Sequence, residues 1–304
     1  MTIIGTGTAP FYERSVRGMT GLRAQAERMQ SRIGTGERLA RSSDDPVAAA
    51  RLRTLARVDR MAQIDATNAN RAAVDLSLAD DALTSFAEAV MRAQTLANQA
   101  ANDTLNDTQR AAIAAELSQI HGQLVDLANA RDSMGHALFG GAAAGPAYEL
   151  DASGNAVYIG TAASGELPLG DGQAVTRGLT GPEFLNFAVG GSSTDLLAVV
   201  RTLADGLQGA DPAQAARDAL GALSQGLDKV ATGQTIVGAR LAWLDLAAEQ
   251  RLDRSELRGA EQADIGGVDF AATFARLQNT LLVLEASQSS FAKLSSLSLF
   301  ARLG

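Results

Sequence analysis

The chain has 304 residues; hydrophobic residues make up 46% of it and aromatics only 4%. The apolar content is therefore largely Ala, Leu and Val, which suits long helices packed side by side better than an aromatic-rich enzyme cleft. Cysteine is absent, which excludes disulfides, thiolate metal sites and cysteine nucleophiles.

The net charge of −8 is unevenly spread: residues 1–60 carry eleven Arg against six acids. Those Arg residues alternate with acids on amphipathic segments, without a Lys run or interleaved aromatics, so no nucleic-acid arm is expected. The start, MTIIGTGTAPFYERS, has no charged region followed by an apolar one. A cleaved secretory signal is not expected, nor is a membrane span, because no run approaches about 18 uncharged apolar residues. The protein is expected to be cytosolic or to leave by a route without a cleaved signal.

The six prolines leave two long proline-free tracts, 47–145 and 213–304, and both read as helical. In chain order, the first amphipathic segment runs from about Phe11 to Leu39. Met19, Leu22, Ala26, Met29 and Ile33 alternate steps of three and four, a heptad seam for a partner helix. Asp44-Asp45-Pro46 is a start signal: the carboxylate caps orphan N–H groups and proline presets φ where no N–H is needed. The helix that follows is expected to reach Ala101, roughly 80 Å at about 1.5 Å per residue. Its seam is Leu76, Ala79, Leu83, Phe86, Val90, Ala93 and Ala97.

Asn102–Asp107 reads as a turn into a helix over 107–138, with Ile113, Leu117, Ile120, Leu124, Leu127, Arg131, Met134 and Leu138 as its seam. The two helices form an antiparallel hairpin. Residues 139–192 hold twelve of the thirty glycines and three of the six prolines. Ala147–Leu150 and Ala156–Ile159 flank Asp151-Ala-Ser-Gly-Asn155 as a β-hairpin, and short strands are expected near Leu167–Val175. Thr194 is expected to cap a short helix to Leu207. Asp211-Pro212 starts a long helix to about Ala263, with Leu220, Leu223, Leu227, Val230, Val237, Leu241 and Leu244 as its seam. Gly266-Gly267 interrupts. A last helix, Asp269 to about Leu299, carries Phe270, Phe274, Leu277, Leu281 and Leu284 at heptad spacing, and Phe291, Leu294 and Leu297 then shift the phase.

The expected fold is mainly α: an elongated antiparallel helical bundle or coiled coil from the N- and C-terminal segments, with a small β-rich inserted domain. The expected division is 1–45, 46–138, 139–192, 193–263 and 264–304, with the two ends packing together. Trp243, the single tryptophan, is expected to pack at a domain junction.

Catalytic patterns are not found. His121 and His136, the two histidines, fall about four turns apart on the expected helix, too far to share a metal. A calcium loop starting at Asp151 would place Ala162 where the bidentate Glu belongs. Asp44-Asp45 and Asp80-Asp81 are helical neighbours pointing about 100° apart, not acid/base dyads. Gly140-Gly141 and Gly190-Gly191 lack the Lys-Ser/Thr of a phosphate loop, and no G-x-S-x-G occurs. No enzyme activity, cofactor or metal is expected.

Two stretches carry a resemblance. Ser31-Arg-Ile-Gly-Thr-Gly-Glu-Arg-Leu-Ala-Arg-Ser-Ser-Asp-Asp-Pro-Val-Ala-Ala-Ala-Arg-Leu52 resembles the N-terminal region of the flagellin superfamily. The proline after the Asp pair is closer to the hook–filament junction members than to filament flagellin. The stretch from Ala263-Asp-Ile through Val268-Asp-Phe-Ala, Leu277-Gln-Asn and Leu284-Glu-Ala-Ser-Gln-Ser-Ser-Phe to Phe300 is similar to the ending of those junction members, and Val237-Gly-Ala-Arg-Leu241 also matches. The likeness covers about 10–140 and 220–304. Gly266-Gly267 departs from it, standing where relatives keep polar helix formers.

The resemblance implies a structural subunit exported through the flagellar type III channel and assembled between hook and filament. It implies transient residence in the cytoplasm and a final extracellular place on the flagellum. The implied partners are copies of itself, the hook-side junction protein, flagellin, and an export chaperone on the C-terminal segment; no nucleic acid or membrane is implied. Segments 1–45 and 264–304 would be poorly ordered in the monomer and form the inner tube on assembly. Helices 47–138 and 213–263 would form a surrounding rod, and 139–192 an outward knob. Filament flagellin and a cytosolic coiled-coil adaptor are the alternatives. The residues singled out for motif or assembly roles are Met19, Leu22, Met29, Ile33, Arg38, Asp44, Asp45, Phe270, Phe274, Leu277, Leu281, Phe291, Leu294 and Phe300.

Overall fold

The computed structural model of the chain describes residues 8–170 and 172–303, with side chains over 10–170 and 172–295. Seven helices and six short strands occur among the described residues, and about 70% of the chain is helical. The chain is mainly α with a small strand-containing region, as the sequence indicates. It divides into two units: residues 1–59 with 254–304, and residues 60–253.

Aspartates start the long helices. Asp45 Oδ1 accepts from the Ala48 amide at 3.0 Å to open α2 (Pro46–Ala100), and Asp211 Oδ1 accepts from Gln214 at 3.2 Å to open α6 (Pro212–Gly266). Asp269 does the same for α7 (Phe270–Leu303) through Ala272 at 2.9 Å. Each carboxylate satisfies an amide that the first turn leaves without a partner, and at two of the three sites proline follows where no amide is needed. At α3 (Asp107–Ala128) Asn106 and Gln109 exchange side-chain-to-backbone bonds of 2.8 and 3.1 Å, a complete capping box.

The larger unit buries the expected seam of α2: Leu76, Leu83, Phe86, Val90, Ala93 and Ala97 are closed to solvent. On α6, Leu223, Val230, Val237 and Leu244 are buried at intervals of seven, with Leu220, Leu227, Leu241 and Trp243 packed beside them. Leu117 and Leu124 of α3 join them, and Arg92 of α2 meets Glu116 of α3 at 2.6 Å on the rim. An aromatic trio anchors the centre. Phe184 lies 5.5 Å from Phe86 and 4.7 Å from Phe139 between ring centroids, and all three are fully buried.

Helix α3 is ten residues shorter than its seam suggests. It stops at Ala128 because the side chain of Asn129 leaves the helix. Asn129 Oδ1 accepts from the Ala147 and Tyr148 amides at 2.8 and 2.9 Å, and its Nδ2 donates to the Tyr148 carbonyl at 3.0 Å. Asp132 then takes the Met134 and His136 amides at 2.8 and 2.9 Å, and Gly135 turns with φ +86°. Arg131, Met134 and Leu138 thus sit in a folded-back loop, and His136 does not share a helix with His121. Asn129, Asp132 and Gly135 are turn residues; the 4–3 spacing of apolar side chains through them is accidental.

Three separate hairpins follow: β1 (Tyr148–Leu150) with β2 (Ala156–Tyr158), β3 (Glu166–Gly170) with β4 (Gln173–Thr176), and β5 (Asn186–Val189) with β6 (Ser192–Asp195). The first two fall where alternation and turn residues place them. The third, and the short α4 (Gly181–Leu185) before it, are not apparent in the sequence. Thr194 lies in β6 and does not cap. The cap of α5 (Leu196–Gly206) is the next residue, Asp195, whose carboxylate accepts from the Ala198 amide at 2.9 Å. Helix α5 buries Leu196, Leu197, Val200 and Leu203, and α3 lies against it.

The smaller unit pairs α1 (Thr8–Thr35) with α7, beside the first turns of α2 and the last turns of α6.

Candidate assembly surface

In the smaller unit two long helices share a thin core. Ala26 and Met29 of α1 and Leu277 of α7 are its buried members, with Ile33 packed beside them. Tyr12, Met19 and Leu22 on α1, and Leu284 and Phe291 on α7, are half-buried along the same line. Tyr12 and Phe291 meet edge to face with centroids 5.4 Å apart. The inward line of α7 runs through Thr273, Leu277, Thr280, Leu284, Ser287 and Phe291, in steps of four and three. Polar residues interrupt every apolar step.

The phenylalanines expected to form the seam face away from this line. Phe270 is 56% exposed, Phe274 54% and Leu281 44%. Relative to Leu277, their positions turn outward by one flank of the helix at 100° per residue. Val283 at 51% and Leu294 at 46% lie on the opposite flank. The apolar arc of α7 is wider than one partner helix covers, so α1 takes its middle and leaves both edges open. Between Gly18, Ser15 and Phe11 of α1 and Ala286, Ser290 and Leu294 of α7 runs an open groove of about 440 Å³.

The base of this unit is tied by a motif that begins at Gly36. Its φ of +74° ends α1, a conformation that favours glycine. The chain then pairs with the exit of α6: Arg38 N donates to the Gly266 carbonyl at 2.7 Å and Val268 N to the Gly36 carbonyl at 3.0 Å. The Arg38 guanidinium donates through Nε and Nη2 to the Ile265 carbonyl at 3.0 and 2.9 Å, and Nη2 also reaches Asp45 Oδ2 at 3.3 Å. One side chain thereby places positive charge at the C-terminal end of α6 and holds the cap of α2. The Ala48 amide, and then Arg38, keep the Asp45 carboxyl below its usual range. Asp44 accepts from the Arg41 amide at 3.1 Å and does not touch Arg38.

Further up, Arg258 donates to Asp59 at 2.6 Å, Gln262 to the other oxygen of Asp59 at 2.5 Å, and Arg51 grips Glu261 in a two-point pair at 2.5 and 2.9 Å. These hold the start of α2 to the end of α6. No sequence signal marked them, because the partners stand about 200 positions apart. Among the assembly residues read from sequence, the structure brings together Met19, Leu22, Met29, Ile33, Leu277 and Phe291. It joins Arg38 to Asp45, leaves Phe270, Phe274, Leu281 and Leu294 open, and Phe300 lies outside the residues whose side chains are described. Tyr12 and Ala26 complete the α1 line; Ala26 was legible from its spacing, and the Tyr12–Phe291 pair carries no signal in either segment alone.

No group of three or more His, Cys, Asp or Glu suited to a metal occurs among the described residues. No described helix is long and apolar enough to cross a membrane. The surface therefore offers apolar area and hydrogen-bonded helix ends.

Comparison with known proteins agrees with this chemistry. Residues 15–144 match the bacterial flagellin N-terminal helical region. Flagellar hook-associated protein 3 of Escherichia coli (strain K12) is 26% identical over 311 residues, spanning 96% of this chain and 98% of the relative. A putative flagellar hook-associated protein from Vibrio parahaemolyticus superposes with a TM-score of 0.68 at 22% identity, over 74% of this chain and 100% of that one. The flagellar junction protein FlgL of Legionella pneumophila gives 0.59 at 16% identity, over 71% and 99%. The chain thus carries a match to the flagellin N-terminal helical region over residues 15–144, is similar to flagellar hook-associated protein 3 over 96% of its length, and shares its fold with the solved hook-associated and junction proteins.

Proposed function

We propose that the chain is a structural subunit of the bacterial flagellum that joins hook to filament. The observation that carries this reading is the uncovered edge of α7. Phe270, Phe274 and Leu281 stay more than two-fifths exposed, whereas Leu76, Leu83 and Phe86 of the α2 seam and Leu223, Val230 and Val237 of the α6 seam are closed to solvent. Exposed stripes of this kind mark association sites. Covering about 1,000 Å² between subunits is worth on the order of 25 kcal/mol before ordering costs. The names of the relatives, hook-associated protein and junction protein, point to the same role.

On this reading the subunit is exported through the type III channel and polymerises through segments 1–45 and 264–304. Its partners are its own copies, the hook-side junction protein and flagellin, with an export chaperone on the C-terminal segment beforehand. The terminal segments gain order as copies stack, so the entropy cost is met at the growing tip and early polymerisation is suppressed. Its work is structural, not catalytic, and its final place is outside the cell.

The test is deletion of 264–304 in a motile host that depends on this chain. Flagellin secreted without attaching to hooks is the expected outcome, and normal motility would overturn the proposal. Counting copies separates a junction subunit, present as a single ring, from a filament flagellin present in thousands.

A further inference from the structure

We propose that Asp75 and Asp132 form a proton-operated clasp that fastens the base of the β insert to α2. They line one small polar cavity of about 170 Å³ inside the larger unit, together with His136, Ser164, Arg177 and residues 141–144. Both carboxylates are more than nine-tenths buried, with side chains 6% and 7% exposed. They are nevertheless treated very differently by their surroundings.

Asp132 belongs to the loop after α3 and is tied on every side. Oδ1 accepts the Met134 and His136 amides, and Oδ2 lies 3.4 Å from His136 Nδ1. Burial pushes its carboxyl up, but these donors bring it below the usual aspartate range, so it stays charged. Asp75 projects from α2 and accepts no hydrogen bond from a described residue. Its nearest cation is Arg177, with Nη2 4.0 Å from Oδ2, too far to donate, and 41% open to solvent. Ser164 Oγ in the same lining is buried and has no partner.

The charged groups facing Asp75 come from each element around it: Arg71 on α2 itself, Asp132 and His136 on the loop, and Arg177 after β4. Burial first, and Asp132 second, push the Asp75 carboxyl up, against weaker opposition from Arg177, Arg71 and His136. Two buried carboxylates in one cavity are thus driven apart: one is the fixed anion and the other is the proton acceptor. When Asp75 is ionised, its charge repels the Asp132 turn that leads from α3 towards the insert. When it is neutral, that repulsion and the desolvation penalty vanish together. The folded state binds this proton more tightly than the unfolded chain. The clasp is therefore firm at acid pH where Asp75 is protonated while Asp132 is still charged, and loosens as pH rises through the folded-state value of Asp75.

The experiment uses the full chain. Carboxyl-carbon NMR follows each aspartate between pH 3 and 8, and hydrogen exchange, corrected for its intrinsic pH dependence, follows the amides of 130–144. The Asp75 resonance is expected to titrate above the ordinary aspartate range. Acidification is expected to slow exchange at 130–144 in the wild type and to lose that effect in Asp75→Asn. In Asp132→Asn, where the repelling charge is gone, Asp75 should titrate lower. If that second variant fails to fold, Asp75→Asn alone decides. An Asp75 that titrates at or below the ordinary range overturns the proposal, as does unchanged acid-dependent protection in Asp75→Asn.

Discussion

On the assembly role proposed for α7, replacing Phe270 and Phe274 together by serine separates assembly from folding. The two rings are 56% and 54% exposed, so in the isolated protein they already meet water over more than half their surface. A phenylalanine offers about 200 Å². Each ring therefore has roughly 100 Å² left to bury against another copy, worth about 2.5 kcal/mol at about 25 cal/mol per Å². Losing both lowers subunit association by about 5 kcal/mol before relaxation, several thousandfold in the equilibrium constant. Leu277→Ser is the contrasting change. Leu277 is 7% exposed in the thin α1–α7 core, so this change strikes the pairing of the two helices themselves. Thermal unfolding followed by circular dichroism reads folding, and flagellin attachment in a complemented motile host reads assembly. The expected pattern for the double variant is near-normal helix content and unfolding with failed attachment. Wild-type motility in the double variant would refute the reasoning, as would helix loss matching that of Leu277→Ser.

Three further outcomes follow from the geometry. Phe184→Ala opens the aromatic trio at its centre and should cost about 3–5 kcal/mol of stability, read as a lowered urea midpoint at constant slope. Arg38→Ala removes the guanidinium from Ile265 and Asp45 at a half-exposed site; the expected cost is about 1 kcal/mol, with faster hydrogen exchange at 264–268, and Arg38→Lys should restore only part of it. His121 is buried with Nε2 unpartnered, and burial first, then Arg201, hold its pKa below 6.5. The native state keeps it neutral while the unfolded chain takes up a proton, so its contribution is full above pH 6.5 and is lost as pH falls below it. His121→Leu should flatten the decline in urea midpoint between pH 7.5 and 5.5.

Much of the architecture was legible because it rests on local rules. Asp45-Pro46 and Asp211-Pro212 state helix starts in two residues, and the interval of seven at Leu223, Val230, Val237 and Leu244 states which face is inside. Legibility fails where a distant group decides the outcome. Asn129 ends α3 because the Ala147 and Tyr148 amides, eighteen and nineteen positions on, are there to be accepted. The β5–β6 hairpin escapes notice because Ser192-Ser193-Thr194 lacks a clean alternation and turns through Gly190-Gly191. At the candidate assembly surface the sequence places Phe270, Phe274, Leu277, Leu281 and Phe291 on α7, but not which of them α1 covers. The register between helices separated by some 240 residues is set by packing, with Phe270, Phe274 and Leu281 rotated out while Thr280 and Ser287 turn in.

Among the described residues each of the three hairpins is a two-stranded ribbon, bonded to its own partner strand and to no other ribbon. Register in one ribbon is therefore insulated from register in the next. The β5–β6 connection shows how little the insulation needs: Gly190 and Gly191, both at positive φ, turn the chain in two residues between the paired Val189 and Ser192. Loop tips so anchored tolerate grafted peptides, because the graft lengthens an excursion whose ends are already fixed. The Gly190-Gly191 tip, where a side chain would meet nothing within 4 Å, is thus a natural mount for a displayed epitope, whereas the Ser153-Gly154 tip is held by Arg201 of α5.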